Sequence, residues 1–304
     1  RVTIREMFGR AIDAAISVKP CTLMSPLAVS QTLNLAEIYD VVIIDEASQM
    51  KPEDSLSAIV RSKKLVVVGD DQQLPPTDFF ESFTKEDTDY ENEIDRGSIL
   101  DLAGERLANK RTLRWHYRSR HESLIQFSNH YFYKNKLLVF PSPNDSEEDF
   151  GFKNITVKGS YVSKINEQEA RKVINEAKKL MIKYPEDSLA IVCINKHQKE
   201  LVEEEFARLR DTDEEVKNYI DKWDENPLER FIVNNLESIQ GDERDNIIVS
   251  TVFGKQDGTR NVRQNFGPIG GIYGHRRLNV LFTRARSRMY LITSLSPSDI
   301  KAEQ

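Results

Sequence analysis

The sequence predicts an α/β fold built on parallel sheets, and three observations carry that reading. Short runs of apolar and β-branched residues recur along the chain, amphipathic segments lie between them, and polar or turn-forming residues follow several of the runs. The runs are Val41 to Ile44, Leu65 to Val68, Leu189 to Ile194, Ile247 to Val252 and Met289 to Thr293. Runs of this kind are expected for parallel strands buried on both faces. Asn166 to Lys183 and Gln198 to Leu209 carry apolar residues at three- and four-residue spacing and are predicted as helices.

At 304 residues the chain is long enough for two domains, each with its own core. The division is expected near Thr112, giving domains 1–112 and 113–304, because strands before and after it then form separate sheets. Two stretches read as exposed loops or insertions: the acidic segment 78–96, and Pro141 to Phe150, where Pro, Asn, Asp and Glu cluster.

Apolar residues make up 39% and charged residues 30%, the balance of a folded rather than a disordered chain. No apolar run reaches membrane-spanning length, so a membrane partner is not expected and a cytoplasmic location is the default. Cys21 and Cys193 each lie in an apolar stretch and are read as two buried small hydrophobes rather than a disulfide or metal pair. A net charge of -6 argues against a surface that coats nucleic acid all over, and leaves room only for a local basic groove.

In VVIIDEASQM, Asp45 and Glu46 follow four apolar residues, at the carboxyl edge of a predicted parallel strand, where open α/β sheets bind ligands. Two adjacent acids there can hold Mg²⁺ and orient an attacking water for phosphoryl transfer. The same pair would also serve to end a strand and cap a helix. A second strand end, LVVVGDDQQLPP, sets Gly69, Asp70 and Gln73 after Val68, with Gly69 allowing a tight turn and Gln73 offering an amide that donates and accepts.

LRWHYRSRH gathers Arg114, Arg118, Arg120, Trp115 and Tyr117. Guanidinium groups bind phosphate bidentately and an aromatic ring stacks on a base. A solvated basic helix with its aromatics packed inward is the alternative, and for Trp115 it is the preferred one. SIQGDERDNIIVS then places Gln240, Gly241 and Glu243 before a buried strand, and RRLNVLFTRARSR brings Arg284, Arg286 and Arg288 to a sheet end.

In order, these strings resemble the motifs of superfamily 1 helicases, in particular the 5′-to-3′ branch that includes the nonsense-mediated-decay helicase. VVIIDEASQ is similar to motif II, VVVGDDQQLPP to motif III, HYRSRH to motif IV, ESIQGDERD to motif V and RRLNVLFTRAR to motif VI. CTLMSPLAVSQ is similar to a nucleic-acid-contacting motif upstream of motif II, with Ser25 and Pro26 as the matching residues. Large bacterial helicase-related proteins, which often carry further domains in the same polypeptide, resemble the chain most.

The resemblance implies two RecA-like domains of the P-loop NTPase class, with ATP between them and single-stranded DNA or RNA crossing both. It implies that Asp45 binds Mg²⁺, that Glu46 activates water and that Gln73 senses the γ-phosphate, with Asp70 beside it in the nucleotide site. Tyr117 would stack on the base, Arg118 and Arg284 would act as arginine fingers, and Glu243, with Gln240 and Gly241, would lie near the ribose. No G-x-x-x-x-G-K-[ST] string occurs, so the first domain is expected to be truncated, and these 304 residues alone are expected to be inactive. A clamp or regulatory scaffold that binds nucleic acid without hydrolysis is the alternative function.

Overall fold

The computed structural model describes residues 2–36, 38–76, 97–143, 149–239, 241–256, 259 and 262–301. The acidic segment 78–96 and the middle of the 141–150 stretch lie outside the described residues. The chain divides into two compact units, Arg1–Thr112 and Leu113–Gln304.

The first unit contains α1 (Ile4–Val18), α2 (Pro26–Thr32), β1 (Tyr39–Ile44), α3 (Pro52–Ile59), β2 (Ser62–Val67) and α4 (Ile99–Arg106). β1 and β2 pair in parallel, with Val42 opposite Leu65 and Ile44 opposite Val67. Those four residues pack with Ala47, Ile59, Ile99 and Leu100. The alternate residues Val41, Ile43, Val66 and Val68 are exposed, Ile43 to 65%. This corrects the expectation of strands buried on both faces. Among the described residues, apolar packing covers only one face of this pair, and period-two alternation decides which residues it takes.

The second unit contains α5 (Ser123–Tyr131), β3 (Gly151–Thr156), α6 (Glu167–Lys183), β4 (Leu189–Cys193), α7 (Lys196–Thr212), α8 (Glu214–Asp224), β5 (Ile232–Asn235), β6 (Arg244–Ser250), α9 (Gly274–Phe282) and β7 (Ala285–Thr293). Its sheet is all parallel, in the order β3-β7-β6-β4-β5. One face packs against α6, α7 and α8 through Val173, Ala177, Val202, Phe206 and Ile220. Ala190, Val192, Ile247, Val249 and Met289, of the opposite parity, are equally buried. Here the expectation of strands covered on both sides holds, and the apolar runs of β4, β6 and β7 follow from it.

β3 and β5 carry too many polar residues to announce themselves, as GFKNIT and IVNN show. They are the two edges of the sheet, where burial is incomplete. Cys193 is buried as expected, whereas Cys21 is exposed. Cys21 lies between α1 and α2, outside any regular element, so its apolar neighbours do not carry it into a core. Among the described residues no helix is long and apolar enough to cross a membrane.

Candidate nucleotide and nucleic-acid sites

In the first unit, β1 ends at Ile44 and delivers Asp45 and Glu46 to its carboxyl edge. Glu46 adopts a left-handed conformation, φ 51°, and turns the chain into the short helix Ala47–Gln49. Asp45 Oδ1 accepts the Glu46 N–H at 2.9 Å, and Glu46 Oε2 accepts from Gln49 Nε2 at 3.1 Å. Both carboxylates remain exposed. They line a cleft of about 680 Å³ together with Ser25, Pro26, Ser30 and Gln49, so the tertiary structure brings the upstream SPLAVSQ segment beside the acids. Ser25 caps α2, its Oγ accepting the Ala28 N–H at 3.3 Å, with Pro26 at the first helical position.

The neighbouring strand end is locked to this one. Val68 N–H donates to the Ile44 carbonyl at 2.8 Å and Ala47 N–H to the Val68 carbonyl at 2.9 Å. At Gly69 a Cβ would stand 3.1 Å from Ser48 N and 3.2 Å from Ala47 N, a close approach that favours glycine. Asp70 then organises its own turn, accepting from the Gln72 N–H at 3.0 Å and from Gln73 Nε2 at 3.1 Å. Gln73 is thereby oriented by Asp70. Neither residue lines the cleft that holds Asp45 and Glu46.

In the second unit a different cluster forms at the amino edge of β6 and β7. Arg118 Nε donates to Glu243 Oε2 at 2.5 Å and its NH1 to the Thr283 carbonyl at 3.2 Å. Arg284, only 4% exposed, donates from Nε to the Val280 carbonyl at 2.9 Å and from NH2 to Thr283 Oγ1 at 3.0 Å. Thr283 therefore links the two arginines. Gly241 takes φ +86°, a conformation that suits glycine, while Gln240 lies outside the described residues. Tyr117 is 83% exposed, its ring available for stacking.

LRWHYRSRH is an irregular segment, not the basic helix of the alternative reading. Trp115 does not pack inward: it is 56% exposed and meets the edge of Phe140, ring centroids 4.6 Å apart. The segment is instead fastened to β7, with Arg120 N–H donating to the Arg286 carbonyl at 2.7 Å and Ser119 Oγ to that of Ala285 at 3.3 Å. Backbone groups spent on β7 are not available for helical bonding. His116 Nε2 accepts the Ser119 N–H at 3.1 Å. Burial and the neighbouring Arg118 charge lower the His116 pKa to about 4, which keeps the imidazole a neutral acceptor.

Three residues with no role in the sequence reading complete the cluster. Arg286 bonds Glu229 at 2.6 Å, Asp245 at 2.9 Å and Ser188 at 3.0 Å, and its other amine lies 3.6 Å from Glu243. Asp245 is buried, which alone would raise its pKa, but the Ser188 N–H and hydroxyl and the Arg286 charge hold it below the usual range. Asp245 and Arg286 lie inside the quoted strings and could have been flagged as a charge pair. Glu229 could not, because only the fold brings it there.

A further polar cluster, unforeseen from sequence, occupies the carboxyl edge of the second sheet. α6 and α7 begin there under asparagine caps, Asn166 accepting from Glu169 N–H at 3.1 Å and Asn195 from Gln198 N–H at 2.8 Å. The signal was present as Asn-x-x-Glu and Asn-x-x-Gln, close to capping-box spacing. Asn195 Nδ2 also donates to the Lys164 carbonyl at 2.9 Å, and burial raises the Tyr161 pKa against the opposing Lys164 and Arg263 charges.

A family model described as AAA domain matches residues 97–296, and another of the same description matches residues 14–80. The chain belongs to this AAA-domain family. It is 33% identical over 277 residues, 87% of this chain and 24% of the relative, to the Mycoplasma genitalium protein named Uncharacterized ATP-dependent helicase MG140. It is 29% identical over 278 residues, 84% of this chain and 36% of the relative, to ATP-dependent helicase MJ0104 of Methanocaldococcus jannaschii. Against the chicken DNA replication ATP-dependent helicase/nuclease DNA2 the identity is 24% over 291 residues, 92% of this chain and 26% of the relative. The chain thus spans about a quarter to a third of the length of these curated relatives. The ordered strings and these matches make it a superfamily 1 helicase segment, and its parallel α/β sheets are those of a RecA-like P-loop NTPase fold.

Proposed function

We propose that the protein is an ATP-driven motor that moves on single-stranded nucleic acid. The observation that carries this reading is the joining of Arg118 to Arg284 through Thr283 and of Arg118 to Glu243 directly, which brings three separate sequence strings into one cluster. Glu46 activates the attacking water, and Gln73, oriented by Asp70, reports the γ-phosphate. Arg118 and Arg284 neutralise the charge that develops on the transferred phosphoryl group, a contribution of about 10³ to 10⁵ in rate for such arginines. Tyr117 offers its exposed ring to the base, and Glu243 lies within reach of the ribose once Arg118 turns to phosphate.

Mg²⁺ fits the first unit's strand end. Asp45 supplies a hard, exposed oxygen, since its Oδ2 bonds no described residue, and Mg²⁺ is ordinarily held by one or two carboxylates with phosphate and water completing the shell. Bound there, the ion would neutralise the phosphate oxygens. The β- and γ-phosphates also need a glycine-rich lysine loop, which these 304 residues do not contain.

The track is single-stranded DNA or RNA. Lys164, Lys196 and Lys255, placed at the carboxyl edge of the second sheet, would neutralise a phosphate backbone there, and in the first unit Ser25 offers a hydroxyl. The test is strand-stimulated ATPase of the native polypeptide, with Glu46→Gln as the variant and displacement of a tailed duplex as the second readout. Strand binding without hydrolysis, or hydrolysis indifferent to Glu46→Gln, would establish the clamp or scaffold reading instead.

A further inference from the structure

At the carboxyl edge of the second sheet stands a carboxylate that hydrolysis does not use. Glu169, in the first turn of α6, is completely buried. Its Oε2 accepts the Val252 N–H at 2.7 Å and the Ser250 hydroxyl at 2.8 Å. Its Oε1 accepts the Ser294 N–H at 2.7 Å and the Thr251 hydroxyl at 3.3 Å. One side chain therefore ties α6 to the exits of two adjacent strands, β6 and β7.

The segment it holds is strained. Val252 has φ +70°, a left-handed conformation in which a β-branched residue is an outlier, and its side chain is fully buried. The Val252 peptide groups are gripped from both sides: Glu169 takes the N–H, and Asn166 Nδ2 donates to the carbonyl at 3.2 Å. The surroundings leave no slack. A Cβ on Gly254 would stand 3.0 Å from the Gly159 carbonyl oxygen, and one on Gly159 would overlap the Asn166 amide. Beyond the turn, the Lys255 carbonyl accepts the Tyr161 N–H at 2.9 Å, and Lys255 bridges to Ser160 and Val262.

We infer that Glu169 is a positioning residue for strand binding: by holding Val252 in its left-handed turn, it sets the path on which Lys255 leaves the sheet. The inference rests on the nucleic-acid reading above. A carboxylate is required, because both oxygens face backbone N–H groups. In Glu169→Gln an NH₂ must oppose either the Val252 or the Ser294 N–H, whichever way the amide is turned. Without that grip Val252 relaxes toward an ordinary conformation and carries Lys255 with it.

The native polypeptide is titrated into a fluorescently labelled oligothymidylate at several salt concentrations, and separately into a fluorescent ATP analogue. Glu169→Gln is expected to weaken oligonucleotide binding about tenfold and to lower the salt slope by about 1 for each phosphate no longer neutralised. Affinity for the nucleotide analogue is expected to stay within about twofold, since that cluster lies at the opposite edge of the sheet. Val252→Gly is the discriminating background: glycine adopts φ +70° unaided, so Glu169→Gln should have little further effect there. A merely structural role would weaken both ligands and would not be relieved by Val252→Gly.

The inference is overturned if folded Glu169→Gln keeps the wild-type affinity and salt slope, or if its weaker binding persists undiminished in the Val252→Gly background. Should Glu169→Gln not fold, Glu169→Asp decides by the same readouts, because it keeps the charge but is too short to serve both strand exits. A wild-type protein that binds no oligonucleotide at any salt overturns the motor reading itself, a result distinct from the other two.

Discussion

Arg118 Nε lies 2.5 Å from Glu243 Oε2, across 125 positions of sequence, while the same guanidinium reaches the Thr283 carbonyl. The guanidinium is thus held by protein partners, and under the proposed motor reading it exchanges its Glu243 bond for phosphate when nucleotide binds. Arg118→Lys keeps the charge but cannot make both bonds at once. We expect the kcat of strand-stimulated ATPase in the native polypeptide to fall by about 10³ or more, with analogue binding nearly unchanged. A kcat within about tenfold of wild type would remove Arg118 from the reaction.

Glu46 is held in a left-handed turn at the strand end and bonded by Gln49, so its carboxylate is fixed rather than free to swing. Glu46→Gln should lower kcat by about 10² to 10⁴, the usual reach of a general base, and leave nucleotide and strand affinity in place. Single-turnover hydrolysis measures this directly. Unchanged hydrolysis would assign water activation elsewhere.

His116 predicts a pH dependence. Its folded pKa is down to about 4, against 6.5 for the ordinary imidazole. Between those values the unfolded chain binds a proton that the folded chain refuses, so stability falls as the pH drops through this window and is level above it. His116→Gln retains an acceptor for the Ser119 N–H without titrating. Its thermal midpoint should decline less than that of wild type from about pH 6.5 to about pH 4.5, and an identical decline would refute the assignment.

Ile248 lies at the centre of β6, fully buried and packed among residues of α6 and its neighbouring strands. Ile248→Ala should destabilise the second unit by about 2 to 5 kcal/mol through reduced burial and the cavity left behind. Equilibrium denaturation would show a lower midpoint with an unchanged slope. A destabilisation below about 1 kcal/mol would mean that the sheet interior repacks freely.

The parts of the fold that were legible are those where local chemistry and burial agree. β4, β6 and β7 could be read as apolar runs because both faces of the sheet are covered, and α6 and α7 because one stripe of each meets that sheet. β3 and β5 could not, since edge strands tolerate polar residues, and Cys21 and Trp115 were misjudged because an apolar or aromatic residue next to a loop has no necessary partner.

Sequence by itself determined the chemical inventory: acids at strand ends, a glycine where two backbones approach, arginines in an ordered series of strings, and membership in the AAA-domain family. Only the tertiary structure decided which of these meet. Arg118 finds Glu243 and Arg286 finds Glu229 because parallel strands return every chain reversal to the same sheet edge, and that registry is set by the packing of whole layers. The grip of Glu169 on Val252 has the same origin, since a buried carboxylate takes whichever backbone donors the closing of the sheet leaves unpaired.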